Sequence, residues 1–399
     1  MQGLMMDFPL TIPHLLERAR RYFAGNLIVS RIADGTHRYT WGEFGDRVER
    51  LAGALHRLGV RRGDRVGTFA WNGWRHLEAY FAAPCMGAVI HTLNIRLFAD
   101  QLVHVINHAG DEVVLVDASL YPAFAAVRDR LPAVKHVILM DDVGAGAPPG
   151  TLDYEALLAD APATFDWPEL DEREAAGMCY TSGTTGHPKG CVYSHRSQVL
   201  HTLGMSVGKC VDLSETDVSL LIVPMFHANA WGMPYSAAML GLKLVLPGRF
   251  MQAGELADLI PAEGVTYIAG VPTIVAGIYQ ALRQAPRDLR TLRLITVGGA
   301  ALPRVLLEGF ERDFGIDVVQ GWGMTEMSPV GTLARLKKRM EDWPAEERTR
   351  ARLKAGLPLP FVDVRIVDDA GRTLPWDGQA TGELEVRGPW VISSYYDDA

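Results

Sequence analysis

Short apolar runs recur along this chain, and most are followed by a stretch of helical spacing. "RVGTFAWN" (65–72) precedes an apolar segment near 75–87, and "EVVLVD" (112–117) and "HVILMDD" (136–142) flank another helix-like stretch. A second series comprises "AGMCYTS" (176–182), "VSLLIVPM" (218–225), "LKLVLPG" (242–248), "VTYIAG" (265–270) and "LRLITVGG" (292–299). Helical segments near 252–263, 272–284 and 303–314 alternate with its last members. Strands that return in the same direction need a crossover, usually a helix. The pattern therefore predicts an α/β protein with mostly parallel, doubly wound sheets covered by helices. The 399 residues suffice for two such lobes. The loop "VGAGAPPG" (143–150) and linker "DAPATFDWPEL" (160–170) suggest a first lobe over 1–165 and a second over 166–345.

After a charged helix at 344–354 the character changes. "FVDVRIVDDAGRTLPWDGQATGELEVRGPW" (361–390) has period-two strands between Asp/Gly turns. It reads as a small antiparallel, barrel-like segment within 346–399. The final "SSYYDDA" neither caps nor closes an element, so the sequence reads as the front part of a longer protein.

Composition excludes several classes. Thirty-nine basic against 47 acidic residues give a net charge of −8, with no basic stripe, so nucleic acid is not an expected partner. Four cysteines lack CxxC or framework spacing, which suits reduced thiols in the cytoplasm. The N-terminus lacks a basic segment followed by an apolar core, so no secretion signal is expected. From Val218 to Leu242 there are 25 residues without Asp, Glu, Lys or Arg. Pro224, His227, Asn229, Gly232 and Pro234 interrupt them too often for a membrane span. A buried, irregular pocket wall is the expectation there.

"YTSGTTGHPKG" (180–190) gathers the strongest chemistry. Gly183, Gly186 and Gly190 free backbone N–H groups to approach an anion. Thr181, Ser182, Thr184 and Thr185 add donors, and Lys189 adds charge. The spelling is not that of the common phosphate loop, which runs from strand to helix through Gly-Lys-Ser/Thr. Here "CVYSH" (191–195) reads as a second strand with a helix starting near Ser194, so the loop joins two strands like a flap.

That stretch closely resembles the signature of the adenylate-forming superfamily: acyl-CoA synthetases, luciferase-like enzymes and peptide-synthetase adenylation domains. "VPMFHANAWG" (223–232), "VGGAAL" (297–302), "QGWGMTE" (320–326) and "TGELEVRGP" (381–389) follow in the family's order. "YTWGEF" (39–44) and "GAVIHTLNIRL" (87–97) are similar to the fatty-acyl branch. The resemblance covers essentially the whole chain and implies ATP, Mg²⁺ and coenzyme A as cofactors. It implies Glu326 as the Mg²⁺ ligand, with Thr181 beside it, and Thr325 at the α-phosphate. It places Gly299, Ala300, Gln320, Gly321 and Trp322 around the nucleotide, and Gly298 between adenine and acyl pockets. A helix-capping role for Thr325 and Glu326 stays open. The family's C-terminal small domain is absent from this sequence, which implies weak activity for this chain alone. Homodimers are common among similar enzymes.

Substrate class follows from "PMFHANAW". Amino-acid-activating relatives carry Asp after the Phe, whereas His227 stands here and no acid occurs from 218 to 242. A substrate ammonium would be left buried and unpaired. Phe226, Ala228, Trp231 and Tyr235 suit an apolar tail, and the resemblance puts His227 between acyl site and pantetheine channel. Trp231 reads as a tunnel or nucleotide gate, with plain core packing as the alternative. Lys189, His227, Thr325 and Glu326 are thus the expected catalytic set of a medium- or long-chain fatty-acid–CoA ligase. A ligase for an aryl or other small acid, or a non-catalytic acyl-adenylate module, are the alternatives. "GMSVG" (204–208) spells a nucleophile elbow, but the preceding stretch reads as helix, which discounts Ser206. His104 and His108 form at most half a metal site.

Overall fold

The predicted alternation folds into two mostly parallel sheets with helices packed between and around them. The computed structural model describes residues 1–399 except 2, 143, 145, 182–185, 208–209 and 398–399. One sheet has seven strands, ordered Leu152–Asp153, His136–Met140, Val113–Asp117, Arg65–Phe69, Val89–Thr92, Ala175–Tyr180 and Gly190–Ser194. Only its last pair is antiparallel. The other has nine, ordered Leu357–Pro358, Val330–Leu333, Asp317–Gly323, Leu294–Val297, Tyr267–Gly270, Val218–Leu221, Lys243–Leu246, Leu27–Ile32 and Gly35–Thr40. Its centre is parallel and both ends are antiparallel. A separate antiparallel pair joins Asp363–Val367 to Glu383–Arg387, as the period-two pattern predicts.

The sheets do not follow the linear division at 165/166. Leu27–Ile32 pairs with Lys243–Leu246, so an early hairpin completes the second sheet. Ala175–Tyr180 pairs with Val89–Thr92, so the arms of the 181–189 loop complete the first sheet. The physical reason is pairing by exposed strand edge, which ignores position along the chain.

The layer between the sheets explains the most apolar helices. Trp74–Cys85 is buried at all 12 positions. Its one fully buried acid, Glu78, accepts from Arg47 Nε at 2.7 Å and from Tyr154 Oη at 2.5 Å. Pairing of this kind is what lets a carboxylate stay in the interior. The "YTWGEF" stretch opens the helix Trp41–Arg57 with a capping box. Thr40 Oγ1 accepts from Glu43 N, and the Glu43 carboxylate accepts from Thr40 N. The strand expected over 218–225 stops at Leu221, because Pro224 and an irregular run beyond it cannot extend the ladder. Among the described residues, no helix is long and apolar enough to cross a membrane.

Candidate active site

The loop predicted to hold phosphate is a hairpin connection between Ala175–Tyr180 and Gly190–Ser194. Its neck is closed by Thr181 N donating to Lys189 O at 2.9 Å and Lys189 N donating to Thr181 Oγ1 at 3.1 Å. Ser182, Gly183, Thr184 and Thr185 lie outside the described residues. Lys189 is exposed, with its ammonium 4.8 Å from the centre of the Tyr395 ring. Tyr395 Oη in turn donates to Glu326 Oε1 at 2.6 Å. One tyrosine therefore spans the loop cation and the predicted metal ligand.

These groups line an open cavity of about 730 Å³ that also includes Thr181, Gly186, Gly299 and Thr325. Motifs separated by more than a hundred residues thus converge on one polar chamber. His104 and His108 line it as well. The His104 ring stacks on His187 at 4.4 Å, and His108 Nδ1 lies 2.7 Å from Tyr180 Oη. Burial, helped by the neighbouring imidazoles, lowers the pKa of His104. Among the described residues, no group of three or more His, Cys, Asp or Glu could hold a metal ion. A single carboxylate on a polar chamber suits Mg²⁺, which keeps several waters and binds through few protein ligands. Glu326 fits that role, since the Tyr395 bond engages one of its two oxygens. Thr181 Oγ1 accepts one bond at the loop neck and keeps a second lone pair, and Thr181 lines the same chamber.

A second, apolar cavity of about 80 Å³ adjoins the first. Ala228, Trp231, Gly298, Gly321 and Trp322 line it, together with Met205, Val330 and Leu333. The two cavities share His227, Gly299, Gly323, Met324 and Thr325 as a common boundary. A Cβ on Gly298 would lie 3.0 Å from the Trp231 indole and 3.1 Å from the Gly321 carbonyl, so glycine makes the slot the indole occupies. Burial lowers the pKa of His227, which keeps it neutral at pH 7.

The backbone beneath this pocket is unusual. Ala228, Asn229, Ala230 and Trp231 have φ of 43°, 50°, 48° and 57°, and Gly232 follows at 76°. A left-handed turn costs roughly 1–2 kcal/mol for each non-glycine residue. It persists because its surroundings hold it. Ala230 N donates to His227 O at 3.1 Å, and Asn229 Oδ1 accepts from Cys179 Sγ at 3.1 Å.

Several expected residues stand elsewhere. Phe226 and Tyr235 do not line the apolar pocket. Phe226 packs edge-on to Trp71 at 6.5 Å, and Tyr235 is fully buried with Oη donating to Tyr80 O at 3.3 Å. The helix Met233–Leu240 carries Tyr235 into the layer between the sheets, where apolar residues fill core. Gln320 and Ala300 reach neither cavity. Gln320 Oε1 accepts from Leu302 N at 2.6 Å and Nε2 donates to Gly321 O at 2.8 Å, bracing the turn after Val297. Trp322 and Gly321 border the apolar cavity. Gly323 is glycine because the Pro329 carbonyl packs where a Cβ would stand. Ser206 ends the helix His195–Ser206 with its hydroxyl donating to Thr202 O at 2.8 Å, which is no nucleophile elbow. Tyr395 was missed. Its only signal was an aromatic pair beside acids in "SSYYDDA".

Comparison with known proteins gives the family to which the chain is similar. A model of the AMP-binding enzyme family matches residues 16–396. The 3-methylmercaptopropionyl-CoA ligase of Ruegeria lacuscaerulensis is 45% identical over 99% of this chain and 74% of its own. The long-chain-fatty-acid–CoA ligase of Thermus thermophilus is 46% identical over 98% of this chain and 71% of its own. Among solved structures, the inhibitor-bound N-terminal domain of FACL13 from Mycobacterium tuberculosis superposes with a TM-score of 0.83 at 27% identity. The match covers 97% of this chain and 91% of that one.

Proposed function

The chain belongs to the AMP-binding enzyme family, and on that premise we propose that its paired cavities serve a medium- or long-chain fatty acid. It is an acid–thiol ligase that forms an acyl-adenylate and uses ATP, Mg²⁺ and coenzyme A. The substrate carboxylate is itself the nucleophile at the α-phosphorus, so no serine or cysteine needs activating. Cys179 and Cys191 fit that view, since burial pushes both thiols up, Cys191 beyond the usual range. Catalysis then rests on orientation and charge stabilisation. Lys189 would neutralise the departing pyrophosphate, and Thr325 would hold an α-phosphate oxygen. Mg²⁺ held by Glu326 would supply Lewis-acid stabilisation of phosphate charge. Thiolysis of the adenylate by coenzyme A completes the reaction.

The observation that carries this reading is the shared boundary at His227 and Thr325. It lets a tail sit in the apolar cavity while its carboxylate reaches the polar one. A second reading, a short acid, is favoured by size. About 80 Å³ is well below the roughly 150 Å³ cavity known to admit benzene. The relative named for 3-methylmercaptopropionate points the same way. A longer tail needs Trp231 to leave the Gly298 slot. Pyrophosphate release should be measured with acids from propionate and 3-methylmercaptopropionate to palmitate, plus benzoates. The proposal expects the highest kcat/KM at medium or long chains in the unmodified protein. A maximum at short acids that moves to longer ones only in Trp231→Ala would overturn it.

A further inference from the structure

The strained turn at 228–232 is tied to the nucleotide side through three buried residues. Asn229, Cys179 and Tyr193 are each no more than 1% exposed. Asn229 lies midway between His227 and Trp231, and its Oδ1 accepts from Cys179 Sγ at 3.1 Å. Cys179 forms one compact cluster with Cys191 and Tyr193. Tyr193 Oη donates to the carbonyl of Thr325 at 2.6 Å. Glu326 is the next residue.

The location of the middle links matters. Cys179 lies on Ala175–Tyr180 and Tyr193 on Gly190–Ser194, the two arms of the phosphate loop. Opposite Tyr193 stands Gly177, and a Cβ there would meet Asn229 Nδ2 at 3.4 Å and the Tyr193 ring at 3.8 Å. The missing side chain leaves the slot in which turn and loop arm come together. Acyl turn, phosphate loop and metal-ligand segment therefore share one buried joint.

We propose that Asn229, Cys179 and Tyr193 are positioning residues that couple occupancy of the acyl pocket to the geometry of Thr325 and Glu326. The proposal rests on the assignment of the two cavities given above. In this proposal the strained turn relaxes when an acid enters, strain at a site being one way a bistable element is built. An acid that displaces Trp231 must move Asn229, two residues away, and through Cys179 and Tyr193 the support of the Thr325 carbonyl. Packed interiors transmit such shifts because they deform little. Linkage then requires the effect to be reciprocal: the factor by which the acid changes Mg·ATP affinity is the factor by which Mg·ATP changes affinity for the acid.

A chain of contacts is not by itself evidence of coupling, so the test must read the coupling directly. The dissociation constant of octanoate is measured with and without a non-hydrolysable ATP analogue plus Mg²⁺. Unmodified protein, Tyr193→Phe, Asn229→Ala and Tyr279→Phe are compared. Tyr279 also donates one hydroxyl bond, to Asp313 at 2.5 Å, but lies on the remote helix Pro272–Gln284. The unmodified protein should show an affinity ratio in the roughly 5–150-fold range typical of coupled sites. Tyr193→Phe should bring that ratio close to one while leaving acid affinity without nucleotide nearly unchanged. Tyr279→Phe should keep the full ratio, and Asn229→Ala, if folded, should behave as Tyr193→Phe does. A Tyr193→Phe protein with lowered Tm but an intact ratio overturns the proposal, as does a ratio of one in the unmodified protein. Failure of octanoate to bind the unmodified protein under either condition would instead overturn the acyl-pocket assignment, and the coupling with it.

Discussion

The two cavities that meet at His227 are built in opposite ways. The polar one is large and open, assembled from loop residues such as Thr181, Lys189, Glu326 and Tyr395. The apolar one is about a ninth as large and walled by strand ends, a buried helix and a turn held in a costly conformation. Charge acts over several ångströms, and a nucleotide brings its own phosphates, so a loosely framed chamber can hold it. An alkyl tail offers only shape, so its pocket must be made by packing. The polar side should therefore govern rate for every acid alike, and the apolar side should govern which acid enters.

The strongest challenge to that separation is Lys189→Met. Loss of one preorganised charge at a developing anion costs about 10²–10³ in rate. The same factor is expected for every acid when pyrophosphate release is followed. A penalty that varied with chain length would break the comparison. Gly298→Ala probes the other side. Its Cβ at 3.0 Å from the Trp231 indole overpacks the slot. That Cβ would also fill part of the space a tail takes when the indole leaves, and overpacking costs about 1–3 kcal/mol, so the KM for acid should rise about tenfold or more with the KM for ATP little changed. Equal rises in both would show that the cavities are not separable.

Acid sharpens the contrast with a smaller effect. His201 stands under the strained turn, close to Gly232, and its Nε2 accepts from Val330 N at 3.2 Å. Burial pushes its pKa down to about 3, and that of His195 on the same helix to about 4. Unfolded histidine takes a proton near pH 6.5 and these two do not, so the unfolded chain binds more protons. Stability is then complete above pH 6.5 and falls as pH drops from there toward 4. Each histidine contributes a loss of about 1.4 kcal/mol per pH unit across that window. Urea unfolding at pH 7, 6 and 5 should show His201→Gln flattening the slope by that amount. An unaltered slope would mean that His201 is protonated in the folded protein.

How much of this was legible follows from the same contrast. Parallel strands buried on both faces are near-continuous apolar runs, so "EVVLVD" and "LRLITVGG" announced themselves. The 180–190 loop was legible as a link between two strands because "CVYSH" follows it. The hairpin 27–40 was overlooked: its two-residue loop is Ala33-Asp34 and Gly35 opens the second strand, so the usual Asp-Gly turn signal sits one residue late. A charge-free stretch looks alike whether it faces ligand or core, so nothing in it separates Phe226 and Tyr235, which pack away from the apolar cavity, from Ala228 and Trp231, which line it. Tyr395 was illegible because its partner, Glu326, lies 69 residues earlier, and no local pattern reports a contact of that span. Nor does any pattern along the chain disclose the left-handed turn, which only the surrounding tertiary contacts sustain.

The interleaved sheets carry a consequence for how the protein is made. Ile28 pairs with Leu244, and Cys179 sits opposite residues of both Val89–Thr92 and Gly190–Ser194. An emerging chain can begin its first sheet but cannot complete it until residue 194 is synthesised. The hairpin at 27–40 must wait for 243–246 before its inner edge finds a partner. Contacts of such sequence separation slow folding, because the loop-closure entropy is spent before the pairing is gained. Until then the hairpin's inner edge is an unpaired strand, the kind of surface that nascent-chain chaperones shield from aggregation.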